Sequence, residues 1–164
     1  MINKATAGIL LHDLRNDWVD DMYLLMGKAY FFLDELDTAA MTFQFINYNL
    51  YPRKSGEDEG RVIGSNAGEK GSMFSIADKE NQNLIQKAFN PPPCRNDALI
   101  WLIRTFVEDS LFSDASSMIN ILHADPNLPE RLRDDLEEVT AYWFYRQGIY
   151  DSCAVHLEIG RAHV

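Results

Sequence analysis

Between Asp17 and Tyr48 the chain carries a spacing of small and large residues that suits two helices crossing at close range. Tyr23, Met26, Gly27 and Tyr30 follow one another as aromatic-x2-apolar-Gly-x2-Tyr; Ala39 comes nine residues later and Phe43 four after that. Gly27 and Ala39 have little or no side chain, so two backbones can approach there, and Tyr23, Met26, Tyr30 and Phe43 fill the space around the crossing. A glycine inside a helix costs roughly 1 kcal/mol relative to alanine, so its place here implies packing that offsets the cost. Asp34 and Asp37 flank Leu36 in what reads as the tight turn between the helices. The plainer alternative is an ordinary amphipathic helical hairpin.

These positions resemble a tetratricopeptide repeat, whose pattern is W-x2-LG-x2-Y followed by A-x3-F. The resemblance implies an all-α stack of antiparallel helical hairpins, an α-solenoid. Residues 1–158 read as a single helical domain of this kind. Residues 1–16 form half a repeat with a helix from about Asn3 to Leu14. Residues 17–52 form a full repeat, capped by Asn16-Asp17, with helices near 18–33 and 35–49 and Pro52 just beyond. Residues 53–94 read as a long irregular insertion, because Gly56, Gly60, Gly64, Gly68 and Gly71 punctuate it. A short helix near 79–89 and the extended Pro91-Pro92-Pro93 follow.

The helical pattern resumes at Arg95. Residues 95–127 read as a variant repeat, with Leu99, Leu102, Ile103 and Phe106 on one helix face and Ala115, Ile119 and Leu122 on the next. Ile103 stands where the first repeat has Gly27, so a wider or differently angled crossing is expected. Leu128-Pro129-Glu130 opens a truncated third unit over 128–158, with Pro129 at a first helical turn and Gln147-Gly148 as the stop. Ala141, Phe144 and Cys153 there correspond to Gly27, Tyr30 and Ala39; Thr140 and Glu137 fit poorly. Ala115 and Cys153 are 38 residues apart, near the repeat period of about 34. The final Ile159-Gly160-Arg161-Ala162-His163-Val164 looks like translated sequencing adapter, and the chain reads as a fragment of a longer protein.

Charge narrows the function classes. A net charge of −10 argues against nucleic acid, because phosphate binding needs a basic face. The longest apolar run, Tyr23 to Leu33, is broken by Lys28 and too short to span a bilayer. Cys94 and Cys153 lie in no C-x2-C pair, so a zinc or redox motif is not expected. His12, His123 and His156 are scattered in sequence. Gly64 to Ser72 superficially suggests a phosphate loop, but Glu69 separates Gly68 from Lys70. Asp134, Asp135, Glu137 and Glu138 read as a solvated helix face, since neighbouring carboxylates point in different directions. No catalytic, cofactor or metal residues are expected, and the chain reads as a non-enzyme.

A solenoid offers a concave face made by the first helix of each pair. The candidate protein-binding residues on it are Leu24, Lys28, Phe31, Phe32, Ile100, Arg104, Tyr142 and Tyr145, interspersed with Asp21, Asp97, Glu108 and Glu138. Exposed Phe31 and Phe32 would mark a binding surface; packed against a neighbouring repeat or the insertion, they would be core. Two other roles stand beside a scaffold: a regulatory or substrate-recruiting module of a larger enzyme, and a chaperone-adaptor clamp for peptide carboxylates. Lys28 and Arg104 alone would serve the clamp.

The wording of the chain is also similar to one family. Asn3-Lys4-Ala5, Trp18-Val19-Asp20-Asp21, Leu25-Met26-Gly27-Lys28-Ala29-Tyr30, Phe43-Gln44-Phe45-Ile46-Asn47, Ile63-Gly64-Ser65-Asn66, Pro92-Pro93-Cys94-Arg95-Asn96-Asp97-Ala98 and Ala141-Tyr142-Trp143-Phe144-Tyr145 resemble the repeat proteins of Bacteroidetes gliding motility and type IX secretion, the PorW/SprE type. Cys94 stands where serine is expected. The resemblance implies a periplasmic, outer-membrane-associated lipoprotein that joins components of the secretion and motility machinery without catalysis. Membrane attachment would belong to the parent protein.

Overall fold

The computed structural model describes residues 2–11, 18–50, 94–126 and 128–161. Among them every regular element is helical and no strand occurs. The helices are α1 (Ile2–Leu11), α2 (Val19–Phe32), α3 (Leu36–Phe45), α4 (Arg95–Glu108), α5 (Phe112–Ala124), α6 (Arg133–Arg146) and α7 (Tyr150–Arg161). A π-helical turn, Ile46–Leu50, continues α3, and a 3-10 turn, Glu130–Leu132, leads into α6. The expected Asn16-Asp17 cap, most of the glycine-rich insertion, the helix near 79–89, Pro91 to Pro93 and the last three residues lie outside the described residues. The chain divides into two compact units, Met1–Ala98 and Leu99–Val164.

In the first unit, α2 and α3 form the hairpin that the small-residue spacing anticipates. Gly27 and Ala39 are buried, as are Leu24, Phe43 and Ile46. A Cβ on Gly27 would sit 2.5 Å from Phe43 Cε1 and 2.9 Å from two further atoms of that ring. The phenyl ring therefore lies against bare backbone, and its complete burial leaves it nowhere to move. Tyr23 packs on Phe45 with ring centroids 4.7 Å apart. The turn is shorter than the sequence suggests: Leu36 and Asp37 already belong to α3, and the chain reverses over Leu33, Asp34 and Glu35.

The reversal has the geometry of a Schellman cap. Asp34 takes a left-handed φ of 62°, its N–H donates to Phe31 O, and the Glu35 N–H donates to Tyr30 O. Two of the helix's last carbonyls thereby find partners. The same turn recurs between α4 and α5, where Ser110 has φ 61° and Leu111 N–H reaches Phe106 O. It recurs again between α6 and α7, where Gly148 has φ 75° and Ile149 N–H reaches Phe144 O. The three left-handed residues are 76 and 38 residues apart. Among the described residues the chain thus builds one helical hairpin three times.

The second unit's core is aliphatic. Ile103, Val107, Ala115, Ile119, Leu132, Leu136 and Val139 are buried together. Ile103 and Ile119 stand where Gly27 and Phe43 stand in the first hairpin, so side chain meets side chain where ring met backbone. Leu128 and Leu132 are buried beside them; Pro129, placed by its sequence at a first helical turn, precedes the 3-10 turn, and α6 itself begins at Arg133. Thr140, a poor fit to the repeat pattern, is buried and donates its hydroxyl to Leu136 O at 2.7 Å. Cys153 is half-buried, whereas Ala39 and Ala115 are wholly buried.

Two sets of substitutions test this account. Gly27→Ala should destabilise the protein by about 1–2 kcal/mol, because overpacking outweighs the gain in helix propensity; adding Phe43→Leu should relieve part of that clash, so a double-mutant cycle by urea unfolding should show favourable coupling. Nothing lies within 4 Å of a Cβ on Gly148, so Gly148→Ala should lose about 1 kcal/mol from backbone strain alone. Ser110→Gly should gain a few tenths of a kcal/mol, read as a rise in thermal midpoint.

Candidate protein-binding surface

The eight expected binding positions divide between the two units. Leu24 and Ile100 are buried, at 9% and 2% exposure, and serve packing where they stand. Lys28 and Phe31 are half-buried on α2, and Phe32 at its end is 75% exposed. The Phe31 and Phe32 rings meet edge to face at 5.5 Å. Leu33, Met41 and Tyr48 are also exposed in this unit. Phe32 with Leu33 is therefore an apolar step beside the Asp34 turn. In the second unit, Tyr145 is exposed and lies between Tyr142, stacked at 6.4 Å, and the exposed Tyr150, tilted at 5.9 Å.

Arg104 and Tyr142 are engaged within their own unit. Arg104 pairs with Glu138 at 2.9 Å and lies 5.1 Å from the centroid of the Trp101 ring. The Tyr142 hydroxyl donates to Glu108 Oε1 at 2.5 Å. Arg146 closes the group: its Nη1 pairs with Glu108 Oε2 and donates to Tyr142 Oη at 3.0 Å, and its Nη2 reaches Glu108 O at 3.3 Å. Desolvation, followed by the bond to Glu108, raises the Tyr142 pKa against the opposing influence of Arg146. The bonds to Tyr142 and then to Glu108 raise that of Arg146. This clasp ties α6 to the end of α4. Glu108 and Arg146 are 38 residues apart, the same distance as Ser110 and Gly148, so they hold equivalent places in successive hairpins. Comparing hairpins for opposite charges at equivalent positions would have found them.

Two further clusters were not foreseen. In the second unit, Glu137 on α6 faces two imidazoles: His156 Nδ1 on α7 lies 2.6 Å from Oε2, and His123 Nδ1 on α5 lies 3.7 Å from Oε1. Glu138 meanwhile turns to Arg104; of the four carboxylates expected on a solvated face, Glu137 departs from that expectation, because its side chain is packed between two imidazoles. Glu137 fitted the repeat pattern poorly because it holds a polar cluster where the first hairpin has Tyr23. In the first unit, ligand atoms of Asp20, Asp21 and Cys94 gather within 4.8 Å of one another. The Cys94 N–H donates to Asp20 Oδ2 at 3.1 Å. Burial first, and then the negative charge of Asp20 and Asp21, pushes the Cys94 thiol far up, so it stays protonated. Both cysteines are free thiols.

No helix of the described residues is long and apolar enough to cross a membrane. No family model, curated protein or solved structure matches the chain.

Two measurements follow from these contacts. Tyr142→Phe removes one partner of a charge-assisted bond and should cost about 1–2 kcal/mol; Glu108→Gln should cost at least as much, since it also unpairs Arg146. Chemical denaturation checks both. Cys94, buried and held as a thiol, should resist alkylation in the native protein and label only on unfolding, which mass mapping after a timed iodoacetamide pulse would reveal.

Proposed function

We propose that this chain is a non-catalytic scaffold of tetratricopeptide-like hairpins that binds other proteins. The observation that carries the reading is the threefold recurrence of one turn at Asp34, Ser110 and Gly148, joined to buried small residues at Gly27, Ala39, Ala115 and Ala141. A hairpin repeated in this way suits stacking and the display of side chains along the stack. The exposed aromatic residues at the hairpin ends, Phe32 and Tyr145, are of the kind that anchor protein partners.

The carboxylate-clamp role finds less support. Of the two cations that would form it, Arg104 is taken up by Glu138 and Trp101. The resemblance to the PorW/SprE type is what directs the scaffold reading to gliding motility and type IX secretion, with a parent protein in the periplasm at the outer membrane. It names the machinery in which to look for partners.

Affinity capture tests this reading. The chain, immobilised in periplasmic and outer-membrane extract of a gliding Bacteroidetes species, should enrich secretion or motility components. Phe32→Ser and Tyr145→Ser should each leave helicity unchanged, and together they should weaken capture by about tenfold or more. Enrichment indifferent to both would move the interface elsewhere on the chain; a folded bait that captures none of these components would overturn the assignment to that machinery.

A further inference from the structure

We propose that His123, Glu137 and His156 form a binding site for a divalent transition-metal ion of the zinc class, which staples α7 to α5 and α6. The proposal is independent of the protein-binding reading. Three helices each contribute one ligand-bearing side chain, and both imidazoles present Nδ1 to the two oxygens of a single carboxylate, at 2.6 and 3.7 Å. Imidazole nitrogen with carboxylate oxygen is a donor set that suits zinc, with water completing the tetrahedron. The side chains of Glu137, His156 and His123 are 15%, 23% and 35% exposed, so the ligands are held by packing yet open to an ion from solvent. The chain's net charge of −10 favours a cation at such a place.

The geometry needs a small closure. Zinc–nitrogen distances of about 2.0–2.1 Å and tetrahedral angles put two imidazole centroids roughly 5 Å apart. The rings of His123 and His156 are 6.4 Å apart. His156 is the fixed partner, because its ring stacks on Phe144 at 5.3 Å with planes 19° apart. His123 is the one that moves: it stands near the end of α5, and its Nε2 makes only a 3.4 Å contact with Thr140 Oγ1. The ligand atoms of these three side chains are not gathered within 4.8 Å as those of Asp20, Asp21 and Cys94 are, so this ring must swing inward by about 1.5 Å or more, and Glu137 must turn with it, to bring three ligands onto one ion. Each histidine binds as a neutral imidazole, with Nδ1 offering its lone pair to the metal and Nε2 carrying the proton; no redox change is involved. Magnesium and calcium, which seek oxygen ligands, find one carboxylate there and are not expected to bind.

The test uses the full chain without an affinity tag, ZnCl2 as the probe and MgCl2 as the control. Calorimetry should show a zinc site, and saturating zinc should raise the thermal midpoint by roughly 5 °C. His123→Gln and His156→Gln should each weaken zinc at least about tenfold while circular dichroism keeps its helical shape. Glu137→Gln keeps an acceptor for the imidazoles but loses the charge, so it should abolish the zinc-induced shift even where the metal-free protein melts as the original does. Magnesium should give no shift. Absence of any zinc effect overturns the proposal. Binding that survives both histidine substitutions also overturns it, and if that binding is lost in Cys94→Ser the metal belongs to the Asp20, Asp21 and Cys94 cluster.

Discussion

Everything in this chain hangs on how a helix ends. The last carbonyls of a helix have no partner within it, and a buried helix end without partners is costly. At Asp34, Ser110 and Gly148 one left-handed residue lets its own N–H and that of the next residue fold back onto those carbonyls. The same residue reverses the chain, so the following helix starts antiparallel at once. The carbonyl of the residue after the turn accepts the first bond of the next helix, from Ala39, Ala115 and Cys153 in turn. Cap, reversal and restart are one device. Only Gly148 takes the conformation without steric strain; Asp34 and Ser110 carry some, which the packing on either side of the turn must hold.

With the turn fixed, each hairpin meets the problem of filling its crossing differently. In the first, Gly27 withdraws and the Phe43 ring occupies the space. In the second, Ile103 and Ile119 share it, both buried. In the third, Ala141 is buried while Leu157, at the place of Phe43 and Ile119, is 48% exposed. Volume across the crossing is traded between the two helices, as dense packing requires. A repeat can therefore lose its glycine and keep its turn.

Polar groups do the cross-linking that the aliphatic core leaves undone. The Glu108, Tyr142 and Arg146 clasp holds α4 to α6, and Glu137 draws α5 and α7 toward α6 through His123 and His156. Such partly exposed pairs add little individually, but Glu108 with Tyr142 and Arg146, and His123 with Glu137, reach from the α4–α5 hairpin to the α6–α7 hairpin and so fix how these two register. Side chains on a repeat's first helix that look available for a partner are consumed in this way. Arg104 and Tyr142 are two of them, which leaves Phe32 and Tyr145 as the exposed aromatic residues among the expected positions.

Local sequence determined the helices and where they stop. Gly27, Ala39 and Phe43 spelled out the first crossing, Ala115 and Ile119 the second, and Gln147-Gly148 the final reversal, because helix periodicity, residue volume and glycine's tolerance of positive φ act within a few residues. The second helix of the first hairpin starts within a residue of its expected place, but the expected turn centres on Leu36, because Asp34, not glycine, adopts the left-handed conformation and an aspartate gives no firm signal of it. Tertiary structure alone decided which side chains meet across helices. The burial of Leu24 and Ile100, the pairing of Glu108 with Arg146, and the gathering of His123 and His156 about Glu137 depend on the rotation of each helix about its axis and on its offset along its neighbour. Those two quantities come from packing whole surfaces together, and no short stretch of sequence encodes them.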